Sequence, residues 1–480
     1  MQYHSTRSRQ ITVDSAQAVL QGLAQDGGLF LPETLPSVDW RACVQKNTME
    51  IAEEILTAFL PEIPQMGELV RNAYGGKFET DDLTPTVSVG DFSVLELFRG
   101  PTSAFKDVAL SMLPQLMTAA KQVKEDDQEI FILTATSGDT GKAALVGFQD
   151  VPGIRICVFY PDGGVSQVQR RQMVSQEGKN VTVCAVKGNF DDAQTGVKQI
   201  FTACQGKDLP FRLSSANSIN IGRLVPQITY YFRAYGDLLR SGNIKMGDEV
   251  NFSVPTGNFG DILAGFLAKK LGLPVGKLIC ASNANNVLTD FIRTGTYDRR
   301  RPLHKTDSPS MDILVSSNLE RLLYLLSEDT DLVAGYMKQL EDQGYYTVSE
   351  ALHSAITREF WAGFCDDNQA RETIRKVFEE RGYLCDPHTA TGWAVAEAYQ
   401  KQTEDARPMV VLATASAYKF PGAVLNALQV PPSGEEFAQM EQLQTITGVP
   451  IPYNLANLRT KPELHKTVIR KEDMLSFVLG

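Results

Sequence analysis

Short apolar segments alternate with helical segments along the middle and late parts of the chain. The predicted strands lie at 130–133, 154–160, 181–186, 250–254, 278–281 and 409–412. Helical stretches such as 165–177 and 224–239 lie between them. Apolar strands of this length, joined through helices, form parallel sheets that helices cover on both faces. The pattern therefore predicts an α/β fold built on parallel sheets.

The length of 480 residues is enough for about three domains of ordinary size. Residues 1–85 combine turn-forming residues with an amphipathic stretch at 49–60, and we expect a small N-terminal domain or a segment that wraps around the rest. Strands and helices alternate over residues 86–290, and residues 300–380 are predicted to be mainly helical. Because another strand follows late in the chain, residues 86–480 are expected to form one α/β region with large and small subdomains.

Composition and charge narrow the class of protein. A formal net charge of −11 repels phosphate backbones and anionic lipid, which disfavours a nucleic-acid or membrane-surface role. No apolar run approaches the length of a membrane span. The seven cysteines include no Cys-x-x-Cys pair, which is typical of reduced cytosolic thiols, and the five histidines are scattered, so that no metal site is predicted. We expect a soluble, cytoplasmic protein.

Two glycine-containing turns follow predicted strands and precede helices. The first is TATSGDTG at 134–141, and the second is PTGNFGD at 255–261. Glycine lets a ligand approach the backbone closely, and the free N–H groups at a helix start attract anions. A single turn of this kind fits a tight connection between a strand and a helix equally well. Two in one chain favour an anionic ligand.

Nucleotide-binding motifs do not account for these turns. Gly141 and Lys142 resemble the end of a P-loop, but Thr136 stands where the first glycine is required. Ala143 stands where a serine or threonine would bind magnesium. No G-x-G-x-x-G sequence follows a predicted strand. Nucleotide hydrolysis and dinucleotide binding are therefore disfavoured.

A third feature is Lys106, in the segment ELFRGPTSAFKDVAL at 96–110. A Gly-Pro turn leads into a predicted helix start, with Lys106 and Asp107 in the first turns of the helix. Most lysines lie at the surface, but here the neighbouring residues are apolar and the helix macrodipole disfavours a cation at this end. A desolvated lysine near partial positive charge has a depressed pKa, which suits attack of its amine on a carbonyl group. Lys106 is therefore a candidate to form a Schiff base.

These segments together resemble the threonine synthase family, in its longer bacterial and fungal branch. The resemblance rests on GPTSAFKD around Lys106, on TSGDTG and on PTGNFGD. It extends to SSANSINIGR at 214–223, CDPHTA at 385–390 and LATASAYKF at 412–420. The N-terminal STR at 5–7 and DGGLFLP at 26–32 are also similar to that branch. The motifs occur in the family's order along almost the whole chain.

The resemblance implies fold type II of the pyridoxal-phosphate enzymes, which is similar to the tryptophan synthase β fold. It also implies that pyridoxal 5'-phosphate is held by Lys106 as a Schiff base, with Thr414 facing the pyridine nitrogen and the turn at 257–261 around the cofactor phosphate. The implied cofactor-binding residues are Lys106, Asp139, Gly257, Asn258, Phe259, Gly260, Asp261 and Thr414. The implied substrate-binding residues are Ser137, Thr140, Asn217, Ser218 and Arg223.

The activity that the resemblance implies is the conversion of O-phospho-L-homoserine and water to L-threonine and phosphate, the last step of threonine biosynthesis. Lys106 would be the catalytic acid and base, and the protein a monomer or weak homo-oligomer. A phospho-lyase that releases 2-oxobutyrate from the same substrate remains an alternative. Arg223 and Asn217 argue against a dehydratase of unphosphorylated substrates. Intact Lys106 and an intact turn at 257–261 argue against an inactive relative that serves as a scaffold.

The chain departs from the family pattern at several positions. The departures are Arg99 and Ser416 where histidine is common, Ser103 where leucine is usual, Lys142 where serine is common, and Ser8 where glycine is usual. Changes at Arg99, Lys142 and Ser416 are expected to alter contacts with the substrate. His388 has no partner nearby in the sequence and is expected to be structural rather than catalytic.

Overall fold

A computed structural model of the chain describes residues 1–136 and 138–480, apart from the side chain of Asp191. Among these residues the strands, in chain order, are β1 (Gln2–Ser5), β2 (Ser8–Asp14), β3 (Phe30–Pro32), β4 (Thr86–Val89), β5 (Phe92–Glu96), β6 (Glu129–Ala135), β7 (Ile154–Pro161), β8 (Val181–Lys187), β9 (Phe211–Ser214), β10 (Val250–Pro255), β11 (Val275–Ser282), β12 (Thr296–Asp298), β13 (Tyr345–Thr347), β14 (Phe360–Phe364), β15 (Met409–Ala413) and β16 (Thr467–Arg470).

The helices of the same residues follow in chain order. The α-helices are α1 (Ser15–Gln21), α2 (Trp40–Cys43), α3 (Thr48–Phe59), α4 (Met66–Tyr74), α5 (Lys106–Val123), α6 (Asp139–Phe148), α7 (Gln167–Val174), α8 (Phe190–Cys204), α9 (Ile221–Arg240), α10 (Gly260–Lys270), α11 (Val287–Thr294), α12 (Leu319–Ser327), α13 (Thr330–Asp342), α14 (Glu350–Glu359), α15 (Asp367–Arg381), α16 (Pro387–Thr403), α17 (Pro421–Ala427), α18 (Glu436–Thr447), α19 (Tyr453–Ala456) and α20 (Met474–Leu479). Short 3-10 helices lie at Pro309–Met311, Ala417–Lys419, Leu458–Thr460 and Lys471–Asp473.

The larger sheet has the strand order β14-β11-β10-β15-β5-β4. Its neighbouring strands are parallel except for the edge pair of β4 and β5. Successive side chains of β15 point to opposite faces of the sheet. Val410 and Leu412 therefore join the main hydrophobic core, while Val411 and Ala413 join a second core formed with α16 and α17. Burial on both faces is the reason why these strands are continuous apolar runs in the sequence.

The smaller sheet has the order β16-β8-β7-β6-β9 and is parallel throughout. Helix α8 covers one face through Ala193 and Ile200, and α6 covers the other through Leu145 and Phe148. Helix α6 begins shortly after β6, as α10 does after β10. Both glycine turns therefore lie at the carboxyl ends of parallel strands, which is where sheets of this kind bind ligands.

The N-terminal residues pack against helices that begin at the predicted site. Strands β2, β1 and β3 form an antiparallel sheet in that order. Helix α3 packs against α9, and both α1 and α4 pack against α5. The N-terminal segment therefore supports the helix that begins at Lys106 and the helix that carries Arg223. The division of the chain near residue 85 stays a prediction.

The predicted α/β fold with parallel sheets is confirmed. Strands β6, β7, β8, β10, β11 and β15 contain the six predicted strands and extend most of them by a few residues. Residues 300–380 are mainly helical, as predicted, but they also contain β13 and β14, of which β14 is an edge strand of the larger sheet. Strand β14 begins at Phe360 directly after α14 ends at Glu359, so that no glycine or proline marks the change.

Two further observations concern the cellular location of the protein. All seven cysteines lie buried as free thiols in the described structure. In the part of the chain that the structure describes, no helix combines the length and the apolar character needed to cross a bilayer. The cytoplasmic location stays a prediction.

Candidate active site

The start of α5 is fixed by contacts with the loop that follows β15. The Phe105 N–H donates to the Thr414 carbonyl at 2.9 Å, and the Ser416 N–H donates to the Ser103 carbonyl at 3.2 Å. Ser103 has a φ of 57°, in the left-handed region, which turns the chain into the helix. These contacts hold Lys106 beside the carboxyl end of β15.

Asp107 closes the turn that precedes the helix. Its carboxylate accepts hydrogen bonds from the Thr102 N–H at 2.9 Å and from the Thr102 hydroxyl at 2.5 Å. A Cβ atom at Gly100 would come 2.5 Å from the Asp107 Cβ, so the glycine of the Gly-Pro turn is required by close approach. A negative side chain in the first turn also suits the positive end of the helix macrodipole. The local sequence therefore fixes the backbone at Lys106.

Asp139, the first residue of α6, lies between two lysines. Its Oδ1 atom is 2.5 Å from Lys419 Nζ, and its Oδ2 atom is 3.9 Å from Lys106 Nζ. Gln169 Nε2 also donates to Oδ1, at 3.0 Å. The Lys419 side chain is 0% exposed and that of Lys106 is 11% exposed. One carboxylate therefore balances two cations in a largely dry environment.

The pKa values of these groups follow from burial and from one another. Burial, together with the positive charges of Lys419 and Arg223, lowers the pKa of Lys106 to about 8 against the attraction of Asp139. Burial alone would raise the pKa of Asp139, but Lys419 and Lys106 hold it well below its usual range. Asp139 therefore stays ionised, while Lys106 has a substantial neutral fraction near pH 8 and can act as a nucleophile or base.

The second glycine turn directs backbone N–H groups to one side. The Gly257 carbonyl accepts the Ser316 hydroxyl at 2.7 Å, and the Asn258 carbonyl accepts the Asn318 N–H at 3.0 Å. In a trans peptide the following N–H points away from the carbonyl, so the N–H groups of Asn258 and Phe259 face the opposite side. No acceptor within residues 1–136 and 138–480 bonds to these two groups.

The shape of this turn fits an oxyanion. A Cβ atom at Gly257 would come 2.7 Å from the Ser310 carbonyl oxygen, so only glycine fits there. Phe259 has a φ of 63° and turns the chain into α10, which begins at Gly260. The N-terminus of that helix adds partial positive charge to the free N–H groups. These features fit the phosphate group of a bound cofactor.

Asp261 follows in the first turn of α10 and faces inward. Its Oδ1 accepts the hydroxyls of Tyr230 at 2.6 Å and Tyr231 at 3.0 Å. Its Oδ2 is buried and has no hydrogen-bond partner among the residues the structure describes. Burial raises the pKa of Asp261 to about 6, although both tyrosines and the charge of Lys106 oppose this.

Arg223, in the first turn of α9, is a buried cation. The residue is 3% exposed, and its Nη1 donates to the Ala216 carbonyl at 2.7 Å. Its Nε has no hydrogen-bond partner, and no carboxylate pairs with it, within the described part of the chain. Burial lowers the pKa of Arg223 to about 10. A buried guanidinium without a carboxylate partner suits an anionic ligand, and its fork matches a phosphate dianion.

The remaining residues that were predicted to bind cofactor or substrate differ in their burial. Thr414 is buried at the end of β15, and Thr140 is half-buried in the first turn of α6. Asn217 is exposed and Ser218 is half-buried, in the loop that leads to α9. Ser137 lies outside the described residues.

Of the departures from the family pattern, Arg99 forms ion pairs with two carboxylates. Its Nε and Nη2 donate to Glu96 at 2.8 and 2.6 Å, and its Nη1 donates to Glu79 at 3.0 Å. Two carboxylates therefore neutralise Arg99, which does not support the expected change in substrate contacts.

Lys142 is a second departure from the family pattern. Its Nζ donates to Gln176 Oε1 at 2.5 Å. Burial, aided by the charge of Lys461, lowers the pKa of Lys142 to about 7.

Three residues around the site were not assigned from the sequence. Lys419 and Gln169 bond to Asp139, as described above, and both are buried. The sequence did contain a signal for Lys419, because a lysine is unusual in an apolar segment such as LATASAYKF at 412–420. The third is Asn318, whose contacts reach two loops of the site.

His388 has the contacts of a structural residue. Its Nδ1 lies 2.6 Å from Asp386 Oδ2, and its Nε2 accepts the N–H of Ser310 at 3.2 Å. Ser310 in turn provides the carbonyl that limits the space at Gly257. His388 therefore supports the turn at 257–261 through Ser310.

A largely buried lysine of lowered pKa and a turn that fits a phosphate, in a fold of two mainly parallel sheets covered by helices, are features of a pyridoxal-phosphate-dependent enzyme of fold type II. A family model described as "Pyridoxal-phosphate dependent enzyme" matches residues 83–415. Models described as "Threonine synthase N terminus" and "Threonine synthase, C-terminal" match residues 2–74 and 389–469. The chain belongs to the threonine synthase family, which confirms the resemblance and the cofactor.

Individual relatives agree with the family models. The chain is 40% identical over 435 residues to threonine synthase of Pseudomonas aeruginosa, covering 89% of this chain and 90% of the relative. It is 38% identical over 477 residues to human threonine synthase-like 1, covering 95% of this chain, but it spans only 62% of the length of that relative. The crystal structure of pyridoxal-phosphate-bound threonine synthase from Brucella melitensis is 40% identical, with a TM-score of 0.88 and coverage of 100% of this chain and 98% of the other.

Replacing Lys419 by methionine should raise the pKa of Lys106. The positive charge of Lys419 lowers that pKa and competes for Asp139, and the substitution removes both effects. In apo protein, the rate of covalent adduct formation with pyridoxal phosphate depends on the neutral amine, so it should rise with pH through about 8 in the wild type. The midpoint should move upward by about one unit in the variant. Lys419→Arg keeps the charge and should restore the wild-type profile, whereas an unchanged or lower midpoint in Lys419→Met would contradict the assignment.

Proposed function

We propose that the chain converts O-phospho-L-homoserine and water to L-threonine and phosphate, as the last step of threonine biosynthesis. The observation that carries the proposal is a buried, carboxylate-free Arg223 within electrostatic reach of Lys106. A substrate that bears an amino acid at one end and a phosphate at the other would use both. Membership in the threonine synthase family supports the same reaction.

The residues of the site fit pyridoxal phosphate. Lys106 would carry the cofactor through its amine, and the N–H groups of the turn at 257–261 would bind the cofactor phosphate. Thr414 would face the pyridine nitrogen, where a hydroxyl rather than a carboxylate leaves that nitrogen less readily protonated. Asp139 would keep a negative charge beside the amine. When bound, the cofactor supplies an electron sink that makes substrate protons acidic.

Lys106 would move the protons of the reaction. Its pKa of about 8 allows the amine to accept a proton and to return it near neutral pH. It would take the proton from Cα of the substrate and then carry protons at Cβ and Cγ. Phosphate would leave from Cγ, and water would add at Cβ to give the hydroxyl of threonine. One lysine would thus act repeatedly as acid and base, in a chain that has only five histidines.

Arg223 would bind the phosphate of the substrate. The fork of its guanidinium matches two phosphate oxygens, and burial strengthens the interaction because water competes less. Asn217 and Ser218, in the loop that leads to α9, would complete this part of the site. Ser137 and Thr140 would contact the substrate carboxylate at the start of α6.

Product analysis tests the proposal. Purified protein with pyridoxal phosphate should release one phosphate and form one threonine for each O-phosphohomoserine consumed. Phosphate with 2-oxobutyrate and no threonine would instead identify a phospho-lyase, in which no water adds at Cβ. Turnover of unphosphorylated serine or threonine at a comparable rate would refute the role of Arg223. The cytoplasmic location and the monomeric or weakly oligomeric state stay predictions.

A further inference from the structure

We propose that Asn318 is a positioning residue that couples the cofactor-phosphate turn to the substrate-phosphate loop, and that the N-terminal segment fixes its position. The inference rests on the proposed function for the identity of the substrate. It gives a role to the N-terminal STR motif, which the chemistry of the site does not otherwise use.

The side-chain amide of Asn318 bridges two backbone carbonyls. Its Nδ2 donates to the Asn258 carbonyl at 3.2 Å and to the Ser218 carbonyl at 3.1 Å. The Asn318 N–H also donates to the Asn258 carbonyl, at 3.0 Å. Asn258 belongs to the cofactor turn and Ser218 to the loop that leads to Arg223. One fully buried side chain therefore sets the orientation of peptide planes in both loops.

The orientation matters because a carbonyl and the following N–H point in opposite directions. Holding the Asn258 carbonyl toward Asn318 directs the N–H of Phe259 toward the cofactor phosphate. Holding the Ser218 carbonyl fixes the next peptide plane of the substrate loop in the same way. If Asn318 moves, both anion sites lose the alignment of their donors together.

Arg321 holds the amide of Asn318 in place. Its Nη1 donates to Asn318 Oδ1 at 2.6 Å, which orients the amide with Nδ2 toward the two carbonyls. Its Nη2 donates to the Ile219 carbonyl at 2.6 Å, and its Nε donates to the Phe30 carbonyl at 3.1 Å. Arg321 is fully buried. The guanidinium therefore joins the substrate loop, Asn318 and strand β3 of the N-terminal sheet.

The STR motif at 5–7 binds Glu320, the residue of α12 that precedes Arg321. Arg7 Nε and Nη2 donate to the carboxylate of Glu320 at 2.8 and 2.9 Å, and the Thr6 hydroxyl donates to it at 2.6 Å. Glu320 is 5% exposed. A bidentate pair of this kind has a defined geometry. The STR motif therefore positions the start of α12, which carries Arg321 and directly follows Asn318.

The test is Asn318→Asp. The carboxylate keeps its pairing with Arg321, so the fold is preserved, but it places lone pairs against the Asn258 and Ser218 carbonyls. We expect the Kd for pyridoxal phosphate and the KM for O-phosphohomoserine each to rise about tenfold, with little change in kcat. Cofactor affinity is read from the absorbance of apo protein titrated with pyridoxal phosphate, which needs no turnover.

Asn180→Asp is the matched control. Asn180 Nδ2 also bridges two backbone carbonyls, those of Phe148 at 2.7 Å and Ile154 at 2.8 Å, but at the amino end of β8, away from the site. Its variant should lose thermal stability while both affinities stay within about twofold of wild type. Equal affinities in Asn318→Asp and wild type, or a change in only one of the two affinities, would overturn the coupling.

Arg7→Gln tests the N-terminal part of the proposal. This change lies outside both loops, so it should raise the same two constants by a smaller factor, and its effect should be non-additive with Asn318→Asp. Strict additivity would overturn the role of the N-terminal segment.

A wild-type protein that binds the cofactor but not O-phosphohomoserine would refute the proposed function instead. The substrate loop would then be probed with inorganic phosphate, whose Kd should rise in Asn318→Asp if the coupling is correct.

Discussion

Replacing Lys106 by alanine should give a colourless protein that forms no covalent adduct with pyridoxal phosphate, and turnover should fall by about 10⁴-fold. The amine is the group that would join the cofactor and carry protons at the substrate. Two other lysines lie near the site, but their contacts differ: the buried Lys419 is paired with Asp139, and the half-buried Lys142 bonds to Gln176. Absorbance of the purified protein, together with borohydride reduction and peptide mass analysis, measures the result.

Lys142→Met is the control for this prediction. Lys142 also has a lowered pKa, of about 7, so an amine selected by pKa alone would place the cofactor there. The variant should remain yellow, and reduction should still fix the cofactor to Lys106. Modification of Lys142 or Lys419 in wild-type protein, with Lys106 unmodified, would contradict the assignment of the site.

Replacing Arg223 by alanine should raise the KM for O-phosphohomoserine about 100-fold, because it removes the buried cation that would bind the substrate phosphate. The affinity for pyridoxal phosphate should change far less, since the turn at 257–261 would bind the cofactor phosphate through backbone N–H groups. Arg223→Lys keeps the charge but loses the planar fork, and should give an intermediate KM. Steady-state kinetics and cofactor titration separate the two effects.

Arg99→His provides the comparison. Arg99 is neutralised by Glu96 and Glu79, and the substitution places there the residue common in the family. The KM should stay within about twofold of wild type, as is usual for changes at partly exposed ion pairs. A KM that rises in Arg99→His but not in Arg223→Ala would show that the substrate phosphate binds elsewhere.

Much of the fold could be predicted because the parallel strands are buried on both faces. Strands such as β7 and β10 are continuous apolar runs between helices, and this pattern is typical of parallel sheets. Strand β5 was missed because it includes Ser93 and Glu96 among its five residues. Strand β14 was missed because α14 passes into it without a turn residue.

The residues of the candidate site likewise fall into those that have a local signal in the sequence and those that do not. Lys106, the turn at 257–261 and Arg223 each lie in a contiguous motif, so each has a local signal in the sequence. Gln169 and Lys419 meet at Asp139 only because α7 and the 3-10 helix Ala417–Lys419 fold against α6. Contacts between residues so far apart in the chain have no local signal. Periodicity and turn chemistry therefore predict the elements but not the pairing of their side chains.

The hydrogen bonds between the loop before α5 and the loop after β15 have a consequence for biosynthesis. Residues 414 and 416 are translated long after residue 106, so in a nascent chain that lacks them we expect Lys106 to be exposed and to have the pKa of an ordinary lysine. Only the neutral amine attacks an aldehyde, so an incomplete chain should react more slowly with the cofactor and with other carbonyl compounds than the folded protein. Reactivity at this lysine would then mark a chain whose late segments have been made and docked.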